Sequence, residues 1–162
     1  IRNLDTFDRD YFDIVLFSYN GLDYMKFSDR SKALKNINRV LKYEGKFIFS
    51  THNIMSIEQH YKLYKGFNPI LFIKRLIKVI KLLAFNGFPK KYLNIDYTTF
   101  IDGAHNFNLI TTFVSLFSQI EALYSFGYNN IRTFSSNNGD EIMLEDLGTY
   151  TEPWIYFYCS KE

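Results

Sequence analysis

FDIVLFSYNGLDYMKFSDRSKALKNINRVLKYEGKFIFSTHN, residues 12–53, decides the fold. Residues 12–18 carry no interior charge after Asp13 and are rich in Ile, Val, Leu and Phe, which suits a strand covered on both faces. Gly21 marks a tight exit. From 29 to 42 the apolar positions Ala33, Leu34, Ile37, Val40 and Leu41 recur at three- and four-residue steps, with Lys32, Lys35, Asn36 and Arg39 between them. That spacing predicts a helix with one buried face. Gly45 reads as the left-handed residue that ends it, and 46–50 resumes an apolar strand. Two buried strands joined by an amphipathic helix make a right-handed βαβ unit, and parallel sheets built from such units bind ligands where their strands end.

Outward from this unit the signals thin. Pro69 opens a second periodic stretch in which Ile70, Ile73, Ile77, Ile80 and Leu83 can share a face while Lys74, Arg75, Lys78 and Lys81 crowd the other. Four cations argue against a membrane span, which needs about 20 largely uncharged residues. Asn86, Gly87 and Pro89 stop the helix. Residues 97–101 read as a short strand before DGAH (102–105), and 107–125 as another amphipathic helix, burying Leu109, Phe113, Leu116, Phe117, Ile120 and Leu123 and capped by Gly127. Residues 130–135 and 154–159 read as the last two strands.

The 162 residues suffice for one domain with a real core. The net charge of +2 is uneven: residues 59–95 hold eight Lys or Arg and no Asp or Glu, leaving −6 on the rest of the chain. An acidic body therefore carries a basic helical insert at about 57–95. Cys159, the single cysteine, lies in the apolar run WIYFYCS, where a buried structural thiol is expected and no internal disulfide can form; a reducing, cytoplasmic location fits. The chain begins with Ile rather than Met and reads as the later part of a longer protein.

Taken together, FDIVLFSYNGLDY, RVLKYEGKFIFSTHN, the Gly127-Tyr128 pair before a strand and the closing YFYCSK resemble class I S-adenosylmethionine-dependent methyltransferases, in a bacterial branch. The resemblance implies an α/β fold: a partial Rossmann-like sheet of parallel strands with an antiparallel final strand, flanked by helices. In it 12–18 is the family's fourth strand, 46–52 its fifth, and the last two segments its sixth and an antiparallel seventh inserted beside the fifth. Residues 1–162 then form an incomplete class I domain. The family's glycine-rich loop has no counterpart, since none of the eight glycines forms a G-x-G pattern. The expectation is that this chain alone binds S-adenosylmethionine poorly.

The same resemblance assigns the candidate site. Ile1 and Arg2 would meet the adenine ring through backbone groups. Ser18, Tyr19 and Asn20 leave the fourth strand at its carboxyl end and would line the methyl-donor site. His52 and Asn53 end the fifth strand on the same edge, where an imidazole could take a proton from the acceptor. Asp102 and His105 could bind or deprotonate substrate, or simply form a turn hydrogen bond. No histidine spacing satisfies a zinc rule, so no metal is expected. The acceptor implied is a small or carbohydrate-like molecule methylated at O or N. The rival reading is a non-catalytic remnant or interaction module. The basic insert reads as a lid over the acceptor pocket, a peripheral membrane contact through Lys74, Arg75, Lys78 and Lys81, or a dimer contact. Nucleic acid is disfavoured, because the helix lacks interleaved aromatics and the body is acidic.

Overall fold

A computed structural model describes residues 4–92 and 94–162. Ile1 and Arg2 lie outside the described residues. The first strand, β1 (Phe12–Phe17), is followed by a single 3-10 turn (Gly21–Tyr24), helix α1 (Phe27–Val40) and the long strand β2 (Leu41–Asn53). A short helix α2 (Ile57–His60) precedes α3 (Pro69–Asn86), then the hairpin β3 (Tyr97–Phe100) and β4 (Thr111–Val114). The chain closes with α4 (Leu116–Ser125), β5 (Tyr128–Ser135), β6 (Glu141–Ile142) and β7 (Trp154–Lys161).

The βαβ reading holds: β1 runs parallel to β2, with Val15 opposite Phe47 and Phe17 opposite Phe49. On the other edge of β2 lies β7, antiparallel, with Lys46 opposite Ser160 and His52 opposite Trp154. Next to β7 is β5, also antiparallel, so the final strand is inserted beside β2 as the resemblance implied. The carboxyl end of β2 outruns β1. Over its last two residues β2 pairs instead with β4, parallel, through His52–Phe113 and Asn53–Val114. A gap therefore opens where β1 has ended and β4 has not begun.

Helices α1 and α4 cover one sheet face, where Leu34, Ile37, Phe47, Phe49, Leu123, Phe157 and Cys159 form the main core. Burying this many large side chains at roughly 1.5–3 kcal/mol each supplies the main stabilisation. Cys159 is fully buried, its thiol pushed up to about 12 by burial. The expectation that β1 is covered on both faces fails, since Ile14 and Leu16 are 60% and 65% exposed. Among the described residues no helix lies over that side.

Two boundaries also differ from expectation. Helix α1 ends at Val40, and Leu41 is already extended, so Gly45 caps nothing. The left-handed residue is Glu44, at φ 59°. Gly45 is required for another reason: a Cβ there would lie 2.7 Å from the Lys42 carbonyl oxygen, inside the irregularity that interrupts the β1–β2 register. The expected helix at 107–125 begins only at Leu116, because 111–114 are drawn into the sheet as β4 and Ser115 caps α4 by accepting from the Ser118 N–H. Phe117, expected inside, is exposed. At its far end the helix closes as read, with Gly127 at φ 80°.

Helix α3 starts as predicted, Asn68 accepting from the N–H groups of Ile70 and Leu71 ahead of Pro69. The face of Ile70, Ile73, Ile77 and Ile80 is exposed. Periodicity locates a stripe on a helix without saying which side meets the body. What docks α3 is the opposite side. Arg75 donates to the carbonyls of Gln59, His60 and Lys62. Leu82 is buried, and the Asn86 amide exchanges two hydrogen bonds with the Ile101 backbone. Arg75 thus leaves the solvated face expected of it.

Candidate functional site

The gap between the ends of β1 and β4 is the mouth of a cavity of about 880 Å³. Its walls come from four places. Ser18, Tyr19 and Asn20 descend from β1, Ser50 and His52 project from β2, and His105 and Leu109 reach over from the β3–β4 connection. Trp154 and Tyr156 of β7 close the far side. This position, outside the carboxyl ends of two adjacent parallel strands, is where open α/β sheets place ligands.

The loop leaving β1 is strained. Tyr19 and Asn20 both have positive φ, 57° and 51°, which costs a non-glycine residue about 1 kcal/mol or more. The conformation is held by the Asn20 N–H donating to Ser50 Oγ at 3.1 Å. Its product is a turn that leaves Tyr19 92% exposed and points Asn20 inward. Asn20 Nδ2 lies 3.5 Å from His52 Nε2, and Asn20 Oδ1 is buried without a partner. A buried acceptor with nothing to accept is costly, and its place in a cavity wall suits a ligand donor.

His52 is gripped from behind. Asp23, in the turn after Asn20, is fully buried and accepts from the His52 ring at Nδ1, 2.9 Å, and from the His52 backbone N–H at 2.7 Å. Its other oxygen accepts from Thr51 Oγ1 at 2.7 Å and lies 3.4 Å from an Arg30 guanidinium nitrogen. Arg30, also buried, donates in addition to Thr51 Oγ1 and to Gln119. Burial pulls the Arg30 pKa below its ordinary value while Asp23 opposes that shift. A carboxylate can only accept from Nδ1–H, so the imidazole presents the lone pair of Nε2 to Asn20 and the cavity. Tyr24 stands edge-on to the ring at 6.3 Å, its phenol raised above the usual value chiefly by burial and further by Asp102 and Asp23.

Of the residues singled out in the sequence, Ser18, Tyr19, Asn20, His52 and His105 come together here. Asn53 does not: fully buried, it accepts from the Met55 N–H and donates to the Tyr150 carbonyl, so its amide serves the backbone. Asp102 accepts from the Ala104 N–H, closing the turn that presents His105. His105, Asn106 and Phe107 are three consecutive residues with positive φ. Asp23 and Arg30 were not singled out at all. The available signal is an acidic residue following Gly21 and Leu22 in an otherwise uncharged exit from a strand.

His60 packs against Phe100 and Phe113 outside the cavity, and burial first, then Lys78 and Arg75, pulls its pKa to about 4 against the favourable pull of Asp102. Because the folded value lies below the unfolded value of about 6.5, this neutral imidazole favours folding fully above pH 6.5. The contribution, about 2 kcal/mol after allowance for partial exposure, is lost as pH falls from 6.5 towards 4. Chemical denaturation across that window should show the slope, and His60→Gln should flatten it between pH 6.5 and 5.

Comparison with known proteins places the fold. Residues 1–49 match the family model for a methyltransferase domain. An S-adenosylmethionine-dependent methyltransferase from Thermotoga maritima superposes with a TM-score of 0.54 at 14% identity, over 99% of this chain and 60% of that one. One from Mesorhizobium loti gives 0.56 at 11% identity, over 96% and 64%. No curated protein matches the chain. The fold is that of the corresponding part of these methyltransferases, as the resemblance implied. The chain spans 60–64% of the length of these solved structures.

Proposed function

We propose that this chain is the acceptor-side portion of a methyltransferase that uses S-adenosylmethionine to methylate O or N of a small-molecule or carbohydrate-like acceptor, with His52 as general base. The observation that carries the reading is the Asp23–His52 pair in the cavity wall, with Nε2 turned towards Asn20. The cofactor, when bound, supplies an activated methyl group. Ser18, Tyr19 and Asn20 fit the part of the site nearest that group, the unpartnered Asn20 Oδ1 being the acceptor they have to offer. Nothing in the chain supplies a glycine-rich phosphate-type cradle, so the remaining contacts are few.

Three tasks fall to these residues. The apolar walls of Trp154, Tyr156 and Leu109 exclude water and hold the acceptor. Asn20 and the strained Tyr19–Asn20 turn orient it. His52 takes the proton that the acceptor hydroxyl or amine sheds as its new bond forms, and Asp23 stabilises the resulting imidazolium. Alignment is the larger contribution, worth about 7–11 kcal/mol against the 10²–10⁴-fold of a general base.

Transfer is tested with methyl-labelled S-adenosylmethionine and a panel of hydroxyl- and amine-bearing acceptors, saccharides included, using these residues joined to a glycine-rich cofactor loop. Label on an acceptor, lost in His52→Ala, is expected; label on none, or label undiminished in the variant, overturns the proposal. For the 162 residues alone, calorimetric titration should show no micromolar affinity for S-adenosylmethionine. Such affinity would mean the cradle is dispensable and would revise the account of cofactor binding.

A further inference from the structure

Helix α3 carries the largest group of exposed apolar side chains in the described structure. Ile70, Ile73, Ile77 and Ile80 are 63%, 54%, 49% and 56% exposed, and Phe67 and Phe88 just beyond its ends stand out at 106% and 75%. At 100° per residue these isoleucines fall on one stripe, opposite the side that carries Arg75, Leu82 and Asn86 into the body. The exposure is not a packing failure. The inner side is fastened by Arg75 to three carbonyls, by Asn86 to the Ile101 backbone and by the Tyr61 hydroxyl to the Gly87 carbonyl. The outer side is presented by a helix that is already docked.

Charge says what could cover it. Lys74, Lys78 and Lys81 lie along one border of the stripe, and residues 59–95 contribute eight cations with no carboxylate. A second copy meeting the same face by two-fold symmetry would oppose lysine to lysine. The acidic remainder of another copy offers net negative charge but would have to cover the isoleucine stripe as well. An anionic lipid surface supplies both needs at once: acyl chains for the isoleucines and headgroup phosphates for the lysines at the rim. The helix is about 27 Å long, and no described helix is long and apolar enough to cross a membrane, so the fit is to the plane of the interface.

We propose that α3 is an interfacial anchor that docks the protein on anionic membrane, with Ile70, Ile73, Ile77 and Ile80 inserted and Lys74, Lys78 and Lys81 at headgroup level. The anchor is joined to the cavity. Lys81 sits over the Phe107 ring at 5.4 Å, Phe85 stacks on it at 5.6 Å, and Phe107 closes the segment that presents His105. No residue of α3 lines the cavity itself. The proposal stands whether or not methyl transfer does.

Co-sedimentation of the 162-residue chain with vesicles of phosphatidylcholine alone, or with about 30 mol% phosphatidylglycerol added, tests it. Binding to the anionic vesicles should be at least tenfold tighter and should fall as salt is raised from about 0.1 to 0.5 M. Each lysine near the surface is worth about fivefold in affinity, so K74E/K78E/K81E should lose at least about a hundredfold. I73Q/I77Q should lose binding at unchanged net charge. Ile73, Ile77 and Lys74 are exposed, so I73Q/I77Q and K74E should keep the parent's unfolding midpoint; Lys78 packs on Gly103 and Lys81 on Phe107, so these two variants decide the matter if the triple charge reversal does not fold. Equal binding to neutral vesicles, no binding to anionic ones, or a dimer by sedimentation velocity that I73Q/I77Q dissociates would each overturn the proposal, the last giving the face to a second copy.

Discussion

Asp23→Ala should lower the unfolding free energy by about 3–5 kcal/mol, a large share of the roughly 5–15 kcal/mol that holds a domain of this size. The reason is what it leaves behind. Arg30 is 3% exposed, and among the described residues its one buried counter-charge is Asp23. Removing the carboxylate strands a guanidinium in the core along with the Thr51 hydroxyl and two His52 N–H donors. Denaturant titration gives the measurement. Asp23→Asn paired with Arg30→Gln removes both charges and should recover part of the loss, because the penalty comes from an unpaired charge rather than from a missing attraction. A single-variant shift below about 1 kcal/mol would mean that the network does not hold the turn in place.

The second large effect is on rate. With a competent cofactor loop present, His52→Ala should reduce turnover by about 100- to 10,000-fold and leave acceptor KM nearly unchanged, since a general base acts mainly as the proton moves. Asp23→Asn should produce a comparable fall by a different route: an amide can donate to Nδ1 and turn the protonated nitrogen towards the cavity. If His52→Ala kept most of its turnover, another group would be the base, and His105, on the same cavity, would be the first to examine.

The first of these predictions rests on Asp23, which no local period of the sequence marks out. Strand β1, helix α1 and strand β2 were legible because each has an internal period, and the order that sets β7 between β2 and β5 followed from the resemblance. His52 and Asn20 were legible as strand-end residues. The error at 107–125 arose where a helical period continued into residues that β2 recruited as a strand, a tertiary effect overriding a local preference. Helix α3 presents a different case. Its period was read correctly, yet the side that docks was chosen by one arginine, one leucine and one asparagine rather than by the isoleucine stripe.

By itself, then, the chain's order of residues determined the local elements, the parallel β1–β2 unit, the segregation of positive charge into 59–95 and the strand ends where chemistry could sit. Those properties depend on neighbours a few positions apart. The tertiary structure alone decided that Asp23 reaches His52 across 29 positions and Arg30 reaches Gln119 across 89. It also decided that Asn53 and Asp102 turn to the backbone while His105 turns to the cavity. Hydrogen bonds and ion pairs act over a few ångströms in space, and which side chains come that close depends on the packing of whole elements rather than on any spacing along the chain.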